Sequence, residues 1–240
     1  MKHASLRLAV AGALVALALA GCGSGSKTSQ TQTKAPTTIR PVTSGLEHKS
    51  AAQVLHAATA ALTAAKSVRV TGTGVSEKGK PMQVDLRFQG RSGSGTVQQQ
   101  GAKLMVITVG DDTWINGDQG AWKQMGAPAE VLSRLAGRWV KLAPRHTELA
   151  GFSLTSFTAA LAKSDRPLVA TVGQSMLDGK QVVVISEHDG SKLYVANTGP
   201  AYPLRAENKG KDAGRFDFTE YGTDFHITAP SDAVDIGRIS

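Results

Sequence analysis

The sequence predicts an α+β fold: one large, curved antiparallel sheet with helices on one face. Three observations lead there. Apolar and polar residues alternate over short segments in both halves of the chain. Turn signals rich in Gly, Asp and Lys separate those segments. Two stretches with helical spacing interrupt the alternation in the middle, and strands on both sides of such an insert point to a single sheet, not two domains.

The amino terminus precedes this fold. Met1 to Arg7 carries Lys2 and Arg7 and no acid, and Leu8 to Leu19 is an apolar run. Leu19-Ala20-Gly21-Cys22 then places small residues before the only cysteine of the chain. The run suits a secretory signal and is short of the roughly 20 residues that a membrane-spanning helix needs. The four residues resemble the lipobox of bacterial lipoproteins, with an ordinary signal peptide and a chance cysteine as the alternative. The resemblance implies cleavage after Gly21, a thioether-linked diacylglycerol on Cys22 and acylation of its amino group, with palmitate among the chains. Two or three acyl chains hold a protein on a bilayer stably, where one does so only marginally. Residues 1–21 are therefore read as the signal. Residues 22–43, dominated by Gly, Ser, Thr, Gln and Lys, are read as the lipidated cysteine and a flexible tether. Residues 44–240 are read as one domain.

Within that domain, Ser44 and Glu47 form a capping-box pattern that opens a helix. Val54, Ala58, Leu62 and Ala65 give it an apolar stripe, and Lys66 lies in the last turn. From Ser67 the period becomes two. Val68 and Val70 alternate with Arg69 and Thr71, with Gly72 and Gly74 at the next inward positions. Across the Lys78-Gly79-Lys80 turn, Met82, Val84, Leu86 and Phe88 alternate with polar residues. Gly93 to Gln100 and Leu104 to Val109 follow as strands. Thr113–Asn116 and Ala121–Met125 read as a hairpin around Gly117 to Gly120. Helices are expected over Pro128 to Trp139 and Leu154 to Lys163, with a loop over 144–152 between them. Leu168–Met176 and Gln181–His188 then flank Asp178-Gly179, a strong turn signal. Lys192–Ala196, Pro203–Asn208, Arg215–Tyr221 and Phe225–Thr228 complete the strands.

Composition narrows the function. The chain has 240 residues, 41% apolar and 19% charged, with a formal charge of +8. Loss of Lys2 and Arg7 leaves about +6. A basic surface suits anionic headgroups or cell-wall polymers. Its basic residues are scattered and the chain is read as exported, so nucleic acid is not an expected partner. With Cys22 lipidated, no internal disulfide, cysteine nucleophile or thiolate metal site remains.

The carboxy-terminal third carries a further pattern. It runs Asp178-Gly179-Lys180-Gln181-Val182-Val183-Val184-Ile185, Lys192-Leu193-Tyr194-Val195-Ala196 and Tyr202-Pro203-Leu204-Arg205. Phe216-Asp217-Phe218-Thr219-Glu220-Tyr221-Gly222 and Ile227-Thr228-Ala229-Pro230 follow. With the lipobox, the polar tether and the helix end Leu62-Thr63-Ala64-Ala65-Lys66-Ser67-Val68, this resembles the actinobacterial LppX and LprG type of lipoprotein, which shares its architecture with carriers of the LolA kind. The resemblance spans about residues 46 to 232. It implies a half-barrel sheet of about 10–11 strands with helices on its concave face. It also implies an apolar cavity that takes acyl chains of phospholipids, glycolipids or lipoglycans on the outer face of the cell membrane. No catalytic residue, metal or cofactor comes with it.

The residues themselves support no enzyme. His48 and His56 sit eight positions apart on the first helix, roughly 12 Å, too far to share a metal. His146, His188 and His226 are scattered, and no H-E-x-x-H or G-x-S-x-G pattern occurs. Glu187-His188-Asp189 reads as a hairpin tip, and Asp111-Asp112 as a turn with calcium as the alternative. Expected to line a ligand space are Met82, Val84, Leu86, Phe88, Leu104, Val106, Val131, Leu135, Trp139, Phe157, Leu161, Val183, Ile185, Phe216 and Phe218. Residues of this kind also close ordinary cores, and periodicity does not separate the two. Trp114, Trp122 and Trp139 are candidates for a pocket rim or for anchors. Two functions stay open: a tethered lipid carrier, and an interaction lipoprotein with a closed core that contacts an envelope protein.

Overall fold

The computed structural model describes residues 42–76, 79–143, 152–163 and 167–235. The expected signal, Cys22, most of the tether and His146 lie outside them.

One sheet organises the described chain. Its strands are β1 (Ser67–Val75), β2 (Pro81–Gln89), β3 (Ser92–Gln99), β4 (Ala102–Val109), β5 (Asp112–Gly117) and β6 (Trp139–Lys141). They continue with β7 (Gly173–Leu177), β8 (Lys180–Ser186), β9 (Lys192–Ala196), β10 (Pro203–Asn208), β11 (Gly214–Thr219) and β12 (Val234–Asp235). The order across the sheet is β12-β6-β5-β4-β3-β2-β1-β11-β10-β9-β8-β7. Neighbours are antiparallel except β12, which lies parallel to β6. The long-range β1–β11 pair joins the two halves, setting Val70 opposite Phe218 and Gly72 opposite Phe216. A single sheet therefore forms around the helical insert.

The expected curved half-barrel does not form. The sheet is open, with β12 and β7 as unjoined edges, and it is neither closed nor strongly curled. Closing a sheet needs staggered registers, and bending it needs bulges. Here β1–β2, β2–β3 and β3–β4 pair residue for residue along their lengths. The one register shift among the described pairs falls between Pro203 and Arg205. The helices accordingly pack on one face of an open sheet, not in a concave bowl.

The hairpin turns follow their residues. Asp178 and Gly179 have φ of 48° and 78°, and Gln100 and Gly101 have 51° and 79°, the left-handed pair that a two-residue hairpin requires. Helix α1 (Ala51–Ala65) starts later than the sequence suggests. Its capping box is Ser50 with Gln53, while Leu46–His48 forms a separate 3-10 turn. Ser44 and Glu47 instead hold the incoming chain to the β9–β10 connection. The Ser44 hydroxyl donates to the Gly199 carbonyl at 2.9 Å, and Asn197 Nδ2 donates to Glu47 at 2.7 Å.

Three shorter helices complete the layer: α2 (Gln119–Gln124), α3 (Ala129–Leu135) and α4 (Leu154–Ala162). The hairpin expected around Gly117 to Gly120 is replaced by α2, because Asp118 Oδ1 accepts from the Ala121 N–H at 2.7 Å and caps a helix. Trp139 leaves the helical register to begin β6. Leu168 makes only an isolated bridge to Glu187, so β7 begins at Gly173. Phe225–Thr228 forms no strand; the Phe225 N–H donates to Gln89 Oε1 at 2.9 Å.

Two apolar clusters share the helix-covered face. The larger joins α1 and α4 to β1, β2 and β8–β11, and the smaller joins α2 and α3 to β4–β6. Phe152 packs against both. The opposite face carries ion pairs, among them Arg69 with Asp85 at 2.9 Å and with Glu220 at 2.6 Å.

Candidate apolar cavity

Strand register decides where the larger cluster is filled and where it is not. Val54, Ala58 and Leu62 of α1 share a fully closed core with Val68, Val183 and Val195. Further along the strands, towards Met82, Phe216, Leu193 and Ile185, the space beneath α4 is not filled. A cavity of about 310 Å³ remains there, walled on the helix side by Phe157, Ala160 and Leu161.

Small residues on the strands create this space. Gly72, Gly74 and Ala206 occupy inward positions beside Phe216. A Cβ on Gly72 would overlap the Arg215 carbonyl oxygen, and one on Gly74 would stand 2.9 Å from Phe216 Cζ. The Phe216 ring therefore lies down over the two glycines instead of rising toward α4. One end of the cavity is closed by aromatics. Phe88 stacks on Phe157 at 4.9 Å and meets Phe152 at 5.0 Å, and Phe157 in turn meets Phe218 at 6.0 Å. The polar lining is sparse: Ser156, Lys163, Ser186, Glu187 and Ser191. Ser191 donates to Asp189 Oδ1 at 2.5 Å, which ties the β8–β9 turn down at the cavity edge.

Eight of the sequence-predicted lining residues meet here: Met82, Val84, Leu86, Phe88, Phe157, Leu161, Ile185 and Phe216. Val183 and Phe218 belong to the same cluster but not to the cavity wall. Leu104, Val106, Val131 and Leu135 lie in the smaller cluster under α2 and α3. Trp139 is half-buried at the start of β6, away from the wall. Trp114 and Trp122 are buried anchors, and Trp122 Nε1 donates to the Leu135 carbonyl at 3.1 Å. Sequence reasoning missed Leu55, Val70, Phe152, Leu168 and Leu193 as lining residues. Alternation along β9 marks Leu193 as inward, and Val70 is inward by the same rule along β1. Phe152 falls in an expected loop and left no signal, while Leu168 opens an expected strand that the structure begins only at Gly173.

The titratable groups lie away from the cavity or at its edge. Hydrogen bonds from Arg69 hold the Asp85 carboxyl below its ordinary range, and the same bonds push the Arg69 guanidinium higher still. Both are on the other face of the sheet. Burial, with Glu207 beside it, pushes the Tyr194 phenol up to about 12. His48 and His226 each pair with one acid, at 3.8 Å and 3.3 Å. Among the described residues no three His, Cys, Asp or Glu side chains gather as a metal site.

No family model matches the chain, and no curated protein does. Solved structures do. LprF from Mycobacterium bovis superposes with a TM-score of 0.50 at 14% identity, over 75% of this chain and 96% of that one. An uncharacterized conserved protein from Thermus thermophilus aligns at 0.40 and 12%, over 76% and 97%. A chain of the Pseudomonas aeruginosa MucA/MucB complex aligns at 0.35 and 18%, over 76% and 62%. The likeness to LprF is one of fold. It does not by itself establish membership of the LppX and LprG family.

Proposed function

We propose that this chain is a non-catalytic carrier, tethered to the outer face of the cell membrane through a lipid on Cys22, that shelters an acyl chain of an envelope lipid or lipoglycan. The observation that carries this reading is the cavity between α4 and the sheet. Its volume of about 310 Å³ stands at the lower end of the roughly 300–1,000 Å³ typical of ligand pockets. That suits one tail better than several. The wall is predominantly apolar, so a tail gains burial without covalent chemistry. A headgroup would remain outside, near Lys163 and the serines of the rim.

The tether fits the same reading. Ser44 joins the domain beside Asn197 and Gly199, at the ends of β9 and β8 opposite to Ser186 and Ser191. About 20 extended residues reach roughly 70 Å, enough for the domain to turn its cavity toward the bilayer.

The test is native mass spectrometry of the full chain carrying Cys22→Ser, stripped of lipid and then offered lysophosphatidylcholine in solution. Uptake that is lost in Leu86→Trp, with the fold retained by circular dichroism, supports the carrier. A chain that stays lipid-free throughout favours the interaction lipoprotein with a closed core.

A further inference from the structure

We infer that Met82 is the adjustable stop that sets how long an apolar tail the cavity accepts. This deepens the carrier reading and rests on it. Met82 lines the 310 Å³ cavity and also a neighbouring, solvent-open cavity of about 580 Å³ bounded by Gln83, Gln98, Gln99 and Gln100. It is the one residue common to both walls.

Its surroundings let it move. Across the β1–β2 ladder Met82 faces Gly74, so no side chain stands beside it on that strand. Its Cε lies 3.7 Å from where a Gly74 Cβ would be, filling room that a side chain would otherwise take. The residue is half-buried, and an unbranched thioether changes rotamer at little cost. The opposite end of the cavity has no such freedom. There Phe152 and Phe157 both pack on Phe88, and Phe157 also meets Phe218. Variation in tail length must therefore be absorbed at Met82. With its side chain rotated outward the two spaces join, and a longer tail runs on between the glutamines. Burial of apolar surface ends at that point and a longer tail must displace Met82 and part the glutamines, so affinity is greatest at the length that just reaches Met82.

Phe216 forms the adjacent wall and is coupled to the same stop. A methyl group on Gly74 would meet Phe216 Cζ at 2.9 Å, and that atom is the tip of a side chain, which can yield. The ring would lift into the cavity and shorten it.

The experiment uses the full Cys22→Ser chain, stripped of lipid, and saturated lysophosphatidylcholines that differ only in tail length. Binding is read by displacement of a fluorescent fatty acid, and folding by urea denaturation. The wild-type chain should show a best tail length. Met82→Ala removes Cγ, Sδ and Cε and should move that optimum longer by roughly three methylenes. Met82→Phe and Gly74→Ala should each move it shorter, and adding Phe216→Leu to Gly74→Ala should restore it. An optimum unchanged in the folded variants overturns the assignment to Met82 and leaves the carrier intact. A wild-type chain that binds no tail of any length overturns the carrier reading, and this inference with it.

Discussion

Phe157 of α4 stacks on Phe88 of β2 with ring centroids 4.9 Å apart and planes 12° apart. Through this pair a nine-residue helix stands over an open sheet and roofs the cavity. Replacing Phe157 with Ala removes the ring that meets both Phe88 and Phe218. The ring is only partly buried, so the loss should be about 2–3 kcal/mol, below or near the low end of buried Phe→Ala changes. Urea denaturation measures it, and displacement of a bound fluorescent fatty acid should weaken in the same variant.

Much of this was legible in the sequence, for reasons that particular residues make plain. Met82, Val84, Leu86 and Phe88 share a face because a strand alternates strictly, and all four reach the cavity wall. Asp178-Gly179 specified its turn because few pairs accept two positive φ angles. The sheet's openness was not legible, since closure depends on how distant edges meet and no local pattern encodes it. Asp118 is read equally well as a turn residue and as a helix cap, and only the Ala121 N–H decided the matter. Leu104 and Val106 fill a core where Val84 and Leu86 line a void, although each pair stands two positions apart on one face of its strand. The difference lies in which helix covers them, Trp122 of α2 or Phe157 of α4.

The glycines of β1 should differ sharply in tolerance. Gly72→Ala places a methyl group on the Arg215 carbonyl and 2.8 Å from Phe216 Cα, both backbone positions that cannot yield. The β1–β11 junction would have to separate, at a cost of about 2–3 kcal/mol. At Gly74 the nearest atom is the tip of the Phe216 ring, and the cost should be about 1 kcal/mol or less. Paired urea titrations of the two variants check this. Equal destabilisation would count against the close packing of Phe216 on these strands.

Trp122 is buried, and its Nε1 donates to the carbonyl of Leu135 at the end of α3. The Arg138 N–H donates to the same carbonyl at 3.1 Å. Trp122→Phe keeps the apolar contact and leaves that oxygen with the Arg138 N–H alone. A loss of about 0.5–1.5 kcal/mol is expected for one such hydrogen bond, read as a lower denaturant midpoint. Because α2 and α3 cover β4–β6 and not the cavity, tail binding by the folded protein should hardly change. A parallel loss of binding would mean that the two clusters are coupled through Phe152.

Arg69 donates from Nε and one terminal nitrogen to the two oxygens of Asp85, each at 2.9 Å, and from the other terminal nitrogen to Glu220. The Asp85 carboxyl is lowered from its ordinary value of 3.8, first by the Arg69 hydrogen bonds and further by the charges of Arg87 and Arg69. A carboxyl with a depressed pKa in the folded state binds its proton more readily when unfolded. Its contribution is thus complete above the unfolded value and fades as pH falls below about 3.8 through the lower, folded value. Asp85 is 38% exposed, so solvent screening limits the pair to about 1 kcal/mol at neutral pH. Asp85→Asn should remove that amount at pH 7 and progressively less as the pH falls below about 3.8, with urea midpoints across the range as the measurement. A constant difference at both ends would place the effect in side-chain packing instead of the charge on Asp85.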